Sequence, residues 1–250
     1  MKQLVRMLMA ASLLICAAPY GRTAPLPNAA TANKLAGAKM AEEKGDLARI
    51  HNDYAQAVSY YRKALRVDRQ NAELYNKLGV AQLKLGDKGS ARKSFGRAVN
   101  YNPQYAIALN NLGAVACLDR KYKPAVSYLK QALALDETQA ATHINLAEAW
   151  IGLGETDRAM TEYTRALELD ADVLSNSENG VLARVSTPEQ RARAAYIIAK
   201  TYAKRGNLEG ALEYLRRAKE GRYPDLAKVY VDPEFAPLWA DPRLAKIIKR

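Results

Sequence analysis

The sequence predicts an all-α fold, a right-handed solenoid of stacked helical hairpins, on three observations. Ala57, Ala91, Ala125 and Ala159 lie 34 residues apart, and so do Ala64, Ala98, Ala132 and Ala166. Between the two alanines of each unit stands a bulky residue, in turn Tyr61, Phe95, Leu129 and Tyr163. Turn and stop signals punctuate the period: LGDKG spans Leu85 to Gly89, and NYNP ends at Pro103. Recurrence at this length is the mark of a repeat architecture.

The spacing has a direct physical meaning. Ala91, Phe95 and Ala98 fall at i, i+4 and i+7, one face of a helix, so two small residues let a neighbouring helix approach while one ring fills the gap. In the preceding helix Leu78 packs and Gly79 leaves room. Gly86 and Gly89 suit the turn between the two helices, and Pro103 ends the unit. A hairpin of this kind cannot bury its faces alone and must stack on the next.

Composition agrees with a large helical core. The chain has 250 residues, 49% of them apolar, which excludes a disordered polymer. Its N-terminus reads differently. Lys2 and Arg6 precede a continuous apolar run from Met7 to Ala18, and no acidic residue occurs before Glu42. This predicts a secretory signal over residues 1–23, with the cleavage point left open, and an exported protein, periplasmic or secreted. The run is too short to span a bilayer comfortably. Cys16 ends a stretch, LLIC, that resembles the bacterial lipobox only in its leucine, because Ile15 stands where a small residue is required; Cys16 is read as one apolar residue of the signal. Cys117 is then the only thiol of the mature chain, which excludes an internal disulfide.

Loss of Lys2, Arg6 and Arg22 with the signal would lower the net charge from +12 to +9. A basic balance favours anionic partners such as lipid surfaces or acidic polymers, although scattered charge ordinarily makes a solvated surface. No nucleic-acid-binding motif is present, and no nucleic-acid partner is expected.

On these residues the chain resembles tetratricopeptide-repeat proteins, whose pattern is W-x2-L-G-x2-Y followed by A-x3-F, A and P. Residues 24–37 read as a flexible lead-in. Units one to four cover residues 38–173, starting at Ala38, Ala72, Ala106 and Ala140. An inserted loop takes residues 174–187, and a fifth unit covers 188–225, with Ala211, Leu215 and Ala218 in register. Lys44 stands where the family has Leu, so the first helix is expected to be a solvated end cap. Thr187-Pro188-Glu189-Gln190 reads as an N-cap, a first-turn proline and a capping-box glutamine, which starts the fifth unit near Pro188. Residues 226–250 carry two more Asp-Pro helix starts, at Asp232 and Asp241. There Phe235, Leu238, Trp239, Leu244 and Ile247 are expected to cap the array.

Nothing in the sequence points to catalysis. His51 and His143 lack partners at metal-ligand spacing, and no nucleophile elbow, phosphate loop or zinc motif occurs. The reading is a non-enzymatic protein without metal or cofactor.

The resemblance implies a concave groove lined by the first helix of each hairpin and able to hold a peptide or helical segment of a protein partner. Carried over position by position, it implies Asn76, Val80, Leu83 and Lys84 from unit two, and Ile107, Asn110, Ala114, Cys117 and Leu118 from unit three. Unit four contributes Ala141, Ile144, Glu148 and Ile151, and unit five Arg193, Tyr196, Lys200 and Lys204. Asn111 and Asn145, one position further on, would either bond a ligand backbone or satisfy a neighbouring helix. The groove so drawn has an apolar middle and a basic end. The chaperone-tail clamp of the family is not reproduced. The expected function is an envelope scaffold or adaptor; the alternative is a basic envelope protein that binds anionic lipid or cell-wall polymer.

Overall fold

The computed structural model describes residues 29–174 and 187–249. The signal reading over 1–23 and most of the inserted loop lie outside the described residues. Within them the chain forms helical hairpins and no strand. The pairs are α1 (Ala29–Ile50) with α2 (Tyr54–Leu65), α3 (Ala72–Lys84) with α4 (Lys88–Tyr101), and α5 (Ala106–Leu118) with α6 (Tyr122–Leu135). They continue as α7 (Ala140–Leu153) with α8 (Thr156–Leu169), and α9 (Pro188–Lys204) with α10 (Leu208–Glu220). Two 3-10 turns, Leu226–Tyr230 and Pro233–Leu238, and a short helix α11 (Pro242–Ile248) complete the tail.

Local chemistry sets the helix starts. Asp53, Asn71, Asp87 and Asn207 each accept the backbone N–H three residues on, which satisfies a donor the helix cannot. At α9 the box is reciprocal: Thr187 accepts from the Gln190 N–H, and the Gln190 side chain accepts from the Thr187 N–H at 2.9 Å. The turn inside each hairpin needs a left-handed residue, and it recurs with the repeat. Asn52, Gly86, Arg120 and Gly154 have φ of 60°, 82°, 57° and 82°. Glycine meets this requirement at no steric cost, whereas Arg120 adopts it against its own preference.

The first three hairpins close through a large residue of the second helix laid on a glycine of the first, and Ala147 and Ala199 take the glycine's place in the last two. A Cβ added at Gly45, Gly79 or Gly113 would stand 2.6, 2.6 or 2.5 Å from Tyr61, Phe95 or Leu129. Those three side chains, with Tyr163 and Leu215 of the later hairpins, are fully buried. Burial of each contributes roughly 1.5–3 kcal/mol.

Four expectations are corrected. The lead-in is helical from Ala29, because α1 starts nine residues before Ala38. Nor is α1 simply a solvated cap: Ala38, Ala41 and Ala48 are buried, while Lys44 and also Met40, Leu47 and Ile50 face outward. In the tail, Phe235, Leu238, Leu244 and Ile247 are buried, but Trp239 stays half exposed, its indole N–H donating to the Val229 carbonyl at 2.9 Å. The turn that starts at Pro233 remains 3-10, since Pro237 within it has no N–H to extend a helix.

Candidate functional site

The first helices of successive hairpins are joined by one polar contact repeated along the array. Lys77 of α3 donates to Glu42 of α1 at 2.6 Å, Asn111 of α5 donates to Asn76 of α3 at 2.9 Å, and Asn145 of α7 donates to Asn110 of α5 at 2.8 Å. Each pair is 35 residues apart. This rung fixes α1, α3, α5 and α7 side by side with their fifth positions facing the same way, and so builds a continuous first-helix face. Of the two roles open to Asn111 and Asn145, these bonds fulfil the second, satisfaction of the neighbouring helix. Lys77 also reaches Asp46 at 2.9 Å; burial works against its charge, but the bonds to Glu42 and Asp46 outweigh it and raise its pKa.

The implied groove residues divide by burial. Ile107, Arg193 and Lys204 are exposed; Val80, Lys84, Asn110, Asn111, Leu118, Ile144, Asn145, Glu148 and Lys200 are partly so. Asn76, Leu83, Ala114, Cys117, Ile151 and Tyr196 are buried and offer little surface to a ligand. Leu83 packs with Phe95, and Ile151 joins the large core around Trp150 and Tyr163. Cys117 is held inert: burial first, then the charge of Glu148, pushes its thiol up to about 12.

Glu148 sits at the ninth position of α7 and accepts from the Tyr163 hydroxyl at 2.7 Å. Burial raises its carboxyl to about 7, against which the Tyr163 bond works. The same pair occurs in the first hairpin, where Tyr61 donates to Asp46 at 2.7 Å. In the second and third hairpins the acid is replaced by Val80 and Ala114, and the tyrosine by Phe95 and Leu129. The chain therefore changes both members together. That signal was present in the sequence, visible by comparing the repeats with one another, and the groove reading passed over it.

The basic end is covered at Tyr196 and Lys200, while Arg193 and Lys204 stay exposed. Lys200 lies 3.2 Å from both Asp232 and Glu234 of the tail, and Tyr196 donates to Asp232 at 2.8 Å. The Tyr196 ring also stacks on Tyr223 at 4.6 Å and tilts against Phe235 at 5.5 Å. The chain's own acidic and aromatic segment occupies the place expected of a partner. His143 is likewise engaged, with Nδ1 2.7 Å from Glu162 and Nε2 3.2 Å from the Glu137 carbonyl.

Stacked hairpins with a periodic first-helix face define a helical-repeat solenoid. Family profiles identify the repeat: those described as TPR repeat or tetratricopeptide repeat match residues 45–86, 72–105, 104–179 and 180–227, so the chain carries tetratricopeptide repeats. Among curated proteins it is similar to anaphase-promoting complex subunit 3 of Schizosaccharomyces pombe, 28% identical over 45% of this chain and 17% of that protein. It is also similar to human protein O-mannosyl-transferase TMTC3, 28% identical over 53% of this chain and 15% of that protein. The chain thus spans less than a fifth of the length of these relatives. Among solved structures it shares the fold of MamA, with 22% identity, a TM-score of 0.53, and coverage of 79% of this chain and 96% of that one. YrrB, described as a TPR protein with an unusual peptide-binding site, aligns with 23% identity and a TM-score of 0.51, covering 76% of this chain and 90% of that one.

Proposed function

We propose that the protein is an exported, non-enzymatic scaffold of the cell envelope that holds an apolar segment of a protein partner on its first-helix face. The carrying observation is the rung of Lys77–Glu42, Asn111–Asn76 and Asn145–Asn110, which aligns the first helices into one surface while leaving Ile107 51% exposed at its centre. Val80, Leu118 and Ile144, each partly open, extend the apolar line on either side. Peptide binding by a neighbouring fold supports the reading, and export rests on the basic lead and apolar run of the N-terminus.

A photo-activatable residue at Ile107 tests the proposal, with one at Lys123 on the exposed side of α6 as control. The expected result is a partner cross-linked from position 107 only, and about tenfold or weaker binding of that partner after Ile107→Asp, at low and high salt alike. Cross-links of equal yield from both positions would place binding elsewhere. Mass spectrometry of the mature N-terminus checks export, which fails if Met1 to about Ala18 are retained.

A further inference from the structure

A cleft of about 260 Å³ opens between the second helices of the first two hairpins, away from the face that carries the asparagine rung. Arg62 of α2 and Arg66, which caps the C-terminus of that helix, line it at i, i+4. Ser90, Lys93, Ser94 and Arg97 line it at i, i+3, i+4 and i+7 on α4. Tyr75, Leu78 and Gln82 of α3, together with Leu65, make its floor. Two helical stripes therefore face each other over a partly apolar base, with four cations on the rim.

We propose that this cleft is a binding site for a phosphate monoester, carried either by a small organic molecule or by a lipid headgroup. Among the described residues none of Arg62, Arg66, Lys93 and Arg97 lies in an ion pair, whereas Lys77 of α3 and Arg92 of α4 each find a carboxylate. Asp87, an acid in the field of two of these cations, is already used as the α4 cap. Its carboxyl is held below the usual range first by the Ser90 N–H, with the fields of Arg62 and Lys93 adding to the effect. Gln82 accepts from Ser94 at 2.7 Å, which orients the amide so that its NH2 group is the end left for a ligand. The rim thus offers donors to an anion and little to a cation. Four positive charges exceed what one carboxylate would balance, whereas a phosphate monoester brings nearly two negative charges and oxygens matched to guanidinium forks. Arg97 lies over the Tyr75 ring at 5.5 Å, and Tyr75 in turn stacks on Tyr101 at 5.5 Å, so the floor holds one guanidinium of the rim in place.

The repeat supplies its own control. One period further on, Arg62, Arg66, Lys93 and Arg97 correspond to Gly96, Asn100, Ser127 and Gln131, all uncharged. The stacking of helices that forms the cleft does not require the charge, which is absent at the next junction; one period beyond that, only Lys130 and Arg165 of the four positions are basic. The inference stands on its own, independent of what the first-helix face binds.

The test titrates the full chain with glycerol 3-phosphate and, separately, sediments it with phosphatidylcholine vesicles with and without phosphatidic acid. The expected result is saturable binding to at least one probe, weakened about tenfold or more by Arg66→Gln with Arg97→Gln. Lys123→Gln with Lys246→Gln, which removes the same charge from exposed sites elsewhere, should change it less than about twofold. Binding of the soluble ester alone identifies a small molecule, and binding of phosphatidic acid vesicles alone identifies a headgroup. Arg66→Lys with Arg97→Lys keeps the charge but loses the forks, and an intermediate loss is expected even if the glutamine pair lowers the melting temperature. No saturable binding to either probe, or equal loss from the control pair, overturns the site.

Discussion

The middle of the array and its C-terminal end use the same repeat positions in opposite ways. At the fifth and ninth positions the middle presents Asn110 and Ala114, then Ile144 and Glu148; the end presents Tyr196 and Lys200. Among the described residues, no tail segment covers Ile107, whereas Asp232, Glu234 and Phe235 lie on Tyr196 and Lys200. A repeat position determines which way a side chain faces. It does not determine whether the surface is free, because an array must end and the chain can supply its own cover.

The strongest way to break this comparison is to remove the cover. Phe235 is fully buried in the tail, so Phe235→Ala should cost about 3–5 kcal/mol, lost from the last hairpin and tail. Because repeats couple chiefly to their neighbours, hydrogen exchange should accelerate in α9 to α11 and stay unchanged in α3 to α5. Equal acceleration along the whole array would mean that end and middle form one cooperative unit, and the contrast between them would lose its energetic content.

Much of the fold was legible before any coordinates. Ala91, Phe95 and Ala98 gave the packing face, Gly79 the close approach, and Thr187 to Gln190 the start of α9, because each of these effects acts within one or two turns of helix. The candidate site was legible in part. Position within the repeat separates face from core on average, but Leu83, Cys117 and Ile151 turned inward, since burial at a helix's last turn depends on the neighbouring hairpin. The occupation of Tyr196 and Lys200 depended on where a segment some thirty residues downstream would fold back. No local pattern encodes that.

A second prediction compares the two ninth-position charges. Lys200 is neutralised by the tail, whereas Glu148 is charged only at a cost, its carboxyl raised from about 4.5 to about 7 by burial. The folded state therefore binds more protons than the unfolded one between these values. The contribution is fully present below about pH 4.5 and is lost as pH rises through about 7, on the order of 3 kcal/mol in all. Denaturant titrations across that range should show stability falling with pH, and Glu148→Gln should flatten this component. A slope that persists in Glu148→Gln assigns it to other groups.

The smallest expected effect concerns the rung that makes the middle a single face. Asn145 donates to Asn110 at 2.8 Å in a partly buried setting, so Asn145→Ala should cost about 0.5–1.5 kcal/mol and leave the Asn110 carbonyl oxygen without that donor. The first helices would remain packed through their apolar sides, so the loss should appear as altered alignment of α5 and α7 rather than as unfolding. A double-mutant cycle with Asn110→Ala isolates the pair, and a coupling of about 1 kcal/mol is expected. A coupling near zero would mean that the two amides are held by water or by their own helices. The alignment of the face would then rest on packing alone, and the asparagines would be free to bond a bound segment, which is the role their first reading left open.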